Sequence, residues 1–417
     1  MLTAVRHRST ASSSAFTRDE EHEPAPRPPA SRATLAEHDL LCFGHDFQGD
    51  PLSKTHLMRL MAARGSRVLW INSIGYRAPS ASGRDLRRLL TKLQAVTRPV
   101  REVEPNLFVL DVLALPAHGS AWGRAVNRAL LELQVGRAIE RLGLRRVISF
   151  IYNPTAGVVA RRLGEELVVY HCVDEFTAMA GVPPQLAESE DRLLDKADLV
   201  IVSSERLLRA KAPRCARSIL VRHGVAFDHF RKALAPSTRV PSELEGLPRP
   251  ILGYFGLLGG DWVDVGLLDR VAEHFASGSL VLLGEVSTDL GPLRARPNVH
   301  LLGRRPFASL PAYCKGFDVA LNPFPINEVT LASNPLKVRE YLAAGLPVVS
   351  TRIPEVARLD EVRIADDRES FLGAIEDALW EPGPKAERGL AMRAQSWEAR
   401  LDEITEAIVA LPARRRP

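Results

Sequence analysis

Short apolar runs alternate with amphipathic stretches along this chain, pause at a Pro-rich break, and then alternate again. That rhythm restricts the fold more than any other property. The runs 39–43 (DLLCF), 67–72 (RVLWIN), 107–112, 146–150 (RVISF), 166–172 (ELVVYHC) and 199–203 (LVIVS) show little internal alternation. Such runs suit strands buried on both faces. Between them, 52–64, 122–142 and 185–196 have helical spacing. Strand–helix repetition predicts right-handed crossovers and a parallel sheet. After the break at 232–250 (KALAPSTRVPSELEGLPRP), strand candidates return at 251–255, 280–283, 299–302, 319–322 and 348–350. Helix candidates there are 265–275, 307–315, 335–344, 370–379 and 386–395, with a last one at 396–410.

The predicted fold class is α/β, with two Rossmann-like domains facing a central cleft. The expected division is a disordered tail over 1–36, an amino-terminal domain over 37–235, a linker over 236–250, a second domain over 251–395, and a final helix with a basic tail over 396–417. Ligands of open parallel sheets bind outside the carboxyl ends of the strands, so the chemistry is expected in the cleft.

Composition closes off other classes. With 417 residues, 46% of them hydrophobic, the chain is long enough for two or three cored domains, which excludes a collagen, a disulfide miniprotein or a mostly disordered protein. The net charge of +5 is too mild for a nucleic-acid binder, and the Arg groups at 87–88, 145–146 and 414–416 read as solvated faces. That charge is compatible with anionic substrates or with peripheral contact at an anionic membrane surface. Cys42, Cys172, Cys215 and Cys314 form no metal-type spacing. They predict a reduced protein without structural metal. No run approaches the ~18 apolar residues of a membrane span, and no apolar leader region is seen near the amino end. The expected location is the cytoplasm, with room for docking at the inner membrane face.

The richest segment is 322–351, NPFPINEVTLASNPLKVREYLAAGLPVVST. Ser333 or Asn334 suits an N-cap and Pro335 the first helical position. The amino end of that helix carries about half a positive charge and free N–H groups, a natural diphosphate site. Lys337 adds a full charge there. Glu340, on the same face, suits ribose hydroxyls. The alternative is a well-capped surface helix with an ordinary Lys/Glu pair. A glycine loop, GYFGLLGG at 253–260, follows the strand candidate 251–255, and here backbone can approach a phosphate or sugar. Its spacing does not meet the dinucleotide fingerprint, and a plain tight turn is the rival reading. In VVYHCVDE, His171 and Asp174 stand at the carboxyl end of a strand as a polar pair for a reacting sugar, or as a structural histidine and its neighbour. Gly44, His45 and Asp46, in FGHDFQGD, are the acceptor-side candidates. Glu285, after VLLG, is a candidate for the nucleoside pocket or a surface-loop acid. RHGVAFDHF at 222–230 reads mainly as a domain-end turn, with a cleft-lining turn as the alternative. No nucleophile elbow, P-loop, zinc-protease or EF-hand pattern is present in the sequence.

Taken together, SNPLKVREYLAAGLPVVST, NVHLLGRRPFASLPAYCKGFDVALNPF, GYFGLLGG and RHGVAFDHF resemble the GT-B fold glycosyltransferases, in particular the large family-four group. The likeness covers about residues 38–411. The first segment is the most specific, and RHGVAFDHF resembles the family's N-G-V-D…F turn. SWEAR resembles the final helix that crosses back to the amino-terminal domain. The resemblance implies a retaining transfer from a nucleotide-diphosphate sugar, and no metal or further cofactor is expected if the helix end and Lys337 carry the leaving-group charge. The donor would be held by the second domain, and a polysaccharide, glycolipid or lipid-linked acceptor would sit against the first. It implies that Glu340 binds the ribose and that Ser333, Asn334 and Leu336 offer N–H groups to the diphosphate. Gly256 and Leu257 would approach from the opposite loop, 299–302 with Leu302 would flank the base, and His171 would lie near the anomeric carbon. Two family features are missing. The Glu eight positions before Glu340 is Ala332, and GLLGGDWVD lacks the usual Arg and Lys. Lys337 offsets the second loss, since a cation 4 Å from a phosphate is worth about 4 kcal/mol at an effective dielectric near 20. The alternatives are a nucleotide-sugar epimerase and a non-catalytic or divergent relative that kept the fold.

Overall fold

The computed structural model describes residues 34–73, 100–115, 117–118, 120–179 and 182–412. Residues 1–33 of the expected tail, the Arg pair at 87–88 and the basic end at 413–417 lie outside the described residues.

The amino-terminal half runs β1 (Leu40–Phe43), α1 (Ser53–Ala63), β2 (Val68–Ile71), β3 (Arg101–Glu104), β4 (Leu107–Leu110), α2 (Ala121–Leu142), β5 (Ile148–Ile151), β6 (Leu167–Cys172), α3 (Gln185–Lys196), β7 (Leu199–Val202), α4 (Glu205–Lys211) and β8 (Ser218–Leu220). Its strand order is β3-β4-β2-β1-β5-β6-β7-β8. Every pair is parallel except β3 with β4. β1, β2, β5 and β7 are buried from end to end, as their continuous apolar composition requires.

The carboxy-terminal half runs β9 (Ile251–Phe255), α5 (Val265–His274), β10 (Ser279–Leu283), β11 (Val299–Gly303), α6 (Leu310–Gly316), β12 (Val319–Asn322), α7 (Glu328–Ala332), α8 (Leu336–Ala343), β13 (Val348–Thr351), β14 (Val362–Ala365), α9 (Arg368–Trp380), α10 (Lys385–Ala391) and α11 (Trp397–Val409). Its order, β11-β10-β9-β12-β13-β14, is all parallel and is the doubly wound 3-2-1-4-5-6 arrangement. The strand order reverses at β9, and the glycine loop begins where that strand ends.

Three strands have no counterpart among the sequence expectations: β3, β8 and β14. All three are sheet edges: REVE and SIL are only half-buried or exposed, and VRIA of β14 is buried only at its ends. An edge lacks the long apolar run by which buried strands are read.

The two halves are joined by more than chain. Helix α11 returns to the first sheet, where Trp397, Leu401, Ile404 and Ile408 share a core with Leu57 and Met58 of α1. Each such burial is worth about 1.5–3 kcal/mol. Arg64 pairs with Asp402 at 2.7 Å on the rim of that contact. A second seam runs along the ends of β7 and α7. There the Ser204 hydroxyl donates to the Ala332 carbonyl (2.6 Å), Asn334 Nδ2 donates to the Ser203 carbonyl (2.8 Å), and Glu355 accepts from the Glu205 N–H (2.8 Å) and from Arg222 Nε (2.6 Å).

Candidate active site in the cleft

A cavity of about 460 Å³ lies between the two sheets. From the carboxy-terminal half it is walled by the loops after β9 and β10 and by the amino end of α8. From the other half come the amino end of α1 and the turn after β6. These are the carboxyl ends of the strands, where open α/β sheets bind ligands.

Helix α8 begins at Leu336, with Pro335 as its N-cap and no side chain capping it. The expected caps are otherwise employed. Ser333 is the C-cap of α7, and both its N–H and its hydroxyl donate to the Thr330 carbonyl. Asn334 donates through Nδ2 to Ser203, while its Oδ1 accepts from the buried Arg339 (2.6 Å). The implied role of the Ser333 N–H toward a diphosphate is therefore corrected, because that donor is spent. The first N–H groups of α8, from Leu336 onward, have no intrahelical acceptor and stand at the cavity with the helix's partial positive charge.

Lys337 stands in the first turn. Its Nζ donates to the Tyr254 hydroxyl (2.9 Å) and lies 4.4 Å and 4.7 Å from the Tyr254 and Phe324 ring centres. Burial pulls its pKa down to about 7, against the pull of Glu340. Glu340, buried at the cavity wall, is pushed up to about 8 by burial, with Lys337 opposing. Burial thus disfavours the charged form of both groups, and each charge partly restores the other. Opposite Lys337 is Gly256, at φ +138°, where a Cβ would stand 2.8 Å from Nζ. Gly284, at φ +147°, packs so closely that its Cβ would stand 1.8 Å from the Gly256 carbonyl. Glycine is needed at both places for sterics and for backbone angle. Leu257 and Glu285 complete this wall.

The other wall differs from expectation. Gly44, His45 and Asp46 do not line the cavity. A Cβ at Gly44 would collide with the Trp70 ring at 2.5 Å, and Trp70 Nε1 donates to the His45 carbonyl, so this loop packs onto Trp70. The wall is instead made by Asp50–Lys54 and the turn at Val173 and Asp174. Asp174 is in place. His171 is not: it faces the opposite side of β6 from Tyr170 and Cys172, packs 4.9 Å from the Tyr152 ring, and is buried behind the wall. Burial lowers its pKa to about 3, which makes it a neutral core histidine. Leu302 is also absent from the lining. The register of β10 against β11 shifts so that Leu283 faces Gly303, which turns Leu302 into the core and brings Arg304 and Arg305 to the cavity.

Among the charged and titratable lining residues, Asp50, Lys54, Arg304 and Arg305 are not sequence candidates, and His223 comes from the RHGVAFDHF turn, which lines the cavity here. Lys54 holds the second position of α1 and faces Asp174. Burial lowers the lysine and raises the carboxyl, and each partly restores the other. A signal for it existed, because Asp50-Pro51-Leu52-Ser53-Lys54 echoes Asn334-Pro335-Leu336-Lys337. Each half thus offers the cavity the amino end of a helix with lysine at its second position. His223 donates from Nδ1 to the Asn334 carbonyl (2.7 Å), while burial lowers its pKa to about 4. Arg304 pairs with Asp50 (2.9 Å), and Arg305 with Glu243 and Tyr313. Ala332 is buried among amino-terminal core residues and does not reach the cavity.

Comparison with known proteins agrees with this geometry. Residues 249–380 match the family model described as glycosyl transferases group 1. A Bacillus subtilis (strain 168) protein, assigned as a glycosyltransferase of teichuronic acid biosynthesis, is 26% identical over 263 residues. The match covers 57% of this chain and 65% of that relative. Among solved structures, a sucrose-phosphate synthase from Thermosynechococcus elongatus superposes with a TM-score of 0.66 at 16% identity, covering 90% of this chain and 99% of the other. An α,α-trehalose 6-phosphate synthase from Burkholderia multivorans gives 0.63 at 13% identity, covering 89% and 99%. The architecture is that of the GT-B fold, two facing Rossmann-like units with a helix crossing back.

Proposed function

From a chain of GT-B fold whose carboxy-terminal half matches the group 1 glycosyl transferases, we propose a glycosyltransferase that moves a sugar from a nucleotide-diphosphate sugar to a polysaccharide, glycolipid or similar acceptor. The observation that carries this is the uncapped amino end of α8, open to the cavity between the halves with Lys337 beside it. In this reading the donor occupies the 251–395 half and the acceptor the 37–235 half. The Leu336 N–H and its successors take the diphosphate, and Gly256 lets backbone approach from the other side. Glu340 accepts hydrogen bonds from the ribose hydroxyls. Leu257 and Glu285 bound the nucleoside end.

The chemical demand is to hold the charge of a departing diphosphate while positive charge grows at the anomeric carbon. Preorganised dipoles and cations aimed at the leaving group are the largest contribution such a site can make. The end of α8 and Lys337 supply them, which is why the reading is metal-independent and needs no further cofactor. An arriving diphosphate recharges Lys337 by raising its pKa. Asp174 and Lys54 stand across the cavity, where the acceptor hydroxyl would enter. Retention of configuration is part of the proposal by family resemblance, and no side chain is assigned as general base.

Calorimetry with uridine, guanosine and thymidine diphosphate sugars tests the reading. Lys337→Ala and Glu340→Ala should each weaken the best donor by about 1.5–3 kcal/mol, roughly 10- to 150-fold, with unfolding midpoints little changed. Unchanged affinity in both variants would count against it. Incubation with donor alone separates an epimerase, which converts the sugar without acceptor. A protein that binds no nucleotide sugar at all would be a divergent relative. The buried Ala332, where the family carries Glu, is the residue that favours that second reading.

A further inference from the structure

One polar atom in the cavity wall lacks the partner its burial calls for. Among the described residues, eight carry a buried side-chain nitrogen or oxygen without a hydrogen bond, and of these only His223 lines the cavity. His223 is 7% exposed, and the unpartnered atom is Nε2. Its Nδ1 lies 2.7 Å from the Asn334 carbonyl. A carbonyl only accepts, so Nδ1 carries the proton and Nε2 is left with a bare lone pair. Burial keeps the ring neutral, and the charges of Arg339, Lys54 and Arg400 oppose its protonation further. A buried acceptor without a donor is costly, and it points to a donor that arrives from outside the chain.

The ring is held in place on two sides. Nδ1 is tied to the residue that leads into α8, and the imidazole packs against Trp397 of α11, with ring centres 6.0 Å apart. His223 thus reaches from the amino-terminal half to the place where α8 begins. The motif that RHGVAFDHF resembles has Asn where His223 stands. An Asn could donate to the Asn334 carbonyl through its amide, but it has no atom at the level of Nε2. The imidazole therefore adds an acceptor that the shorter side chain would not supply.

We propose that His223 Nε2 accepts a hydrogen bond from a hydroxyl of the sugar being transferred, which makes His223 a residue that selects the donor sugar. The proposal rests on the reading of α8 as the diphosphate site. With the diphosphate at that helix end, the sugar on its outer phosphate occupies the space between α8 and the wall of Lys54 and Asp174, beside His223. A bare ring nitrogen discriminates among ligands. It repels an anion, and the neighbouring Lys54 disfavours a second cation. A hydroxyl suits it, because the O–H donates to Nε2 and the oxygen remains free to accept.

The test is calorimetry of the full chain with two ligands. One is the best-binding nucleotide sugar of the uridine, guanosine and thymidine series. The other is the matching nucleoside diphosphate, which lacks the sugar. His223→Asn keeps a donor for Asn334 and removes Nε2. It should weaken the nucleotide sugar about three- to tenfold and leave the nucleoside diphosphate unchanged. His223→Gln places an amide oxygen near the level of Nε2 and loses the bond to Asn334. It should weaken both ligands alike, so that the ratio of the two affinities stays near that of the wild type. That ratio is the readout, and it reports even where a variant is less stable. Among deoxy forms of the sugar, one should bind the wild type as weakly as the intact sugar binds His223→Asn, and should be indifferent to that substitution. Equal weakening of both ligands in His223→Asn overturns the proposal and leaves a structural histidine. An unchanged nucleotide-sugar affinity overturns it too, with a buried water completing Nε2. If the wild type binds neither ligand, the diphosphate reading fails and this inference falls with it. Binding of both ligands with an unaltered ratio in His223→Asn removes this inference alone.

Discussion

Lys337 and Glu340 face each other's titration in reverse. On the proposed function the lysine would have to be charged to hold a diphosphate, and burial has drawn it to about 7. The carboxyl would have to be ionised to accept from ribose, and burial has lifted it to about 8. Affinity for an intact nucleotide sugar should therefore peak between about pH 7 and 8. It should fall by up to tenfold per pH unit on either side, as one group or the other takes the wrong protonation state. Lys337→Met should abolish the alkaline limb and Glu340→Gln the acid limb, in calorimetric titrations across that range. A profile unchanged in both variants would rule out this pair as the origin. At this scale the sequence was a partial guide. Lys337, Glu340, Gly256 and Asp174 were legible because helix starts and glycine turns after strands carry local signatures. The spent N–H of the cavity-lining Ser333, and the places of Leu302, His171 and the Gly44–Asp46 loop outside the lining, were not. Their positions depend on a preceding helix end, a register shift, the face of a strand and one tryptophan, none of which a local pattern encodes.

Among the elements, α8 is held by an unusual anchor. Arg339 is almost wholly buried, and its guanidinium donates to Asn334 Oδ1 and to Gln395 Oε1. Through Asn334 it fixes the residue just before the helix, and through Gln395 the approach to α11. Arg339→Met should leave the buried Asn334 Oδ1 and the half-buried Gln395 Oε1 without donors and cost about 2–4 kcal/mol, read as a lower urea midpoint at constant m-value. It should also weaken nucleotide-sugar binding, because the amino end of α8 loses its brace. Lysine cannot reproduce the fork and should restore little. A full rescue by Arg339→Lys would show that charge alone matters. The elements themselves were largely readable. β9 and β12 fall where the apolar runs predict, and α3 spans its predicted range. Parallel strands covered by helices on both faces must be continuously apolar, so they announce themselves. β3 does not, since REVE at an antiparallel edge has no need of that composition.

Across the whole molecule, stability of the first half depends on the last helix. Trp397 is buried against His56, with ring centres 5.3 Å apart, and a Cβ at Gly224 would meet its Cα at 2.9 Å. Trp397→Ala should cost about 3–5 kcal/mol and unfold the amino-terminal sheet at lower denaturant. Loss confined to the carboxy-terminal half, as followed by hydrogen exchange, would contradict the packing. The seam at Ser203, Ser204, Glu205 and Glu355 has a different consequence. It fastens one flank of the cleft with hydrogen bonds whose partners are largely buried, whereas the other flank is spanned by the solvent-facing Asp50–Arg304 pair. A surface pair of that kind is worth about 1 kcal/mol or less. The molecule is thus built like a clamshell with a stitched spine and a loose lip. On the proposed function, sugar and acceptor would pass on the Arg304 side, and the spine would be the axis of any opening.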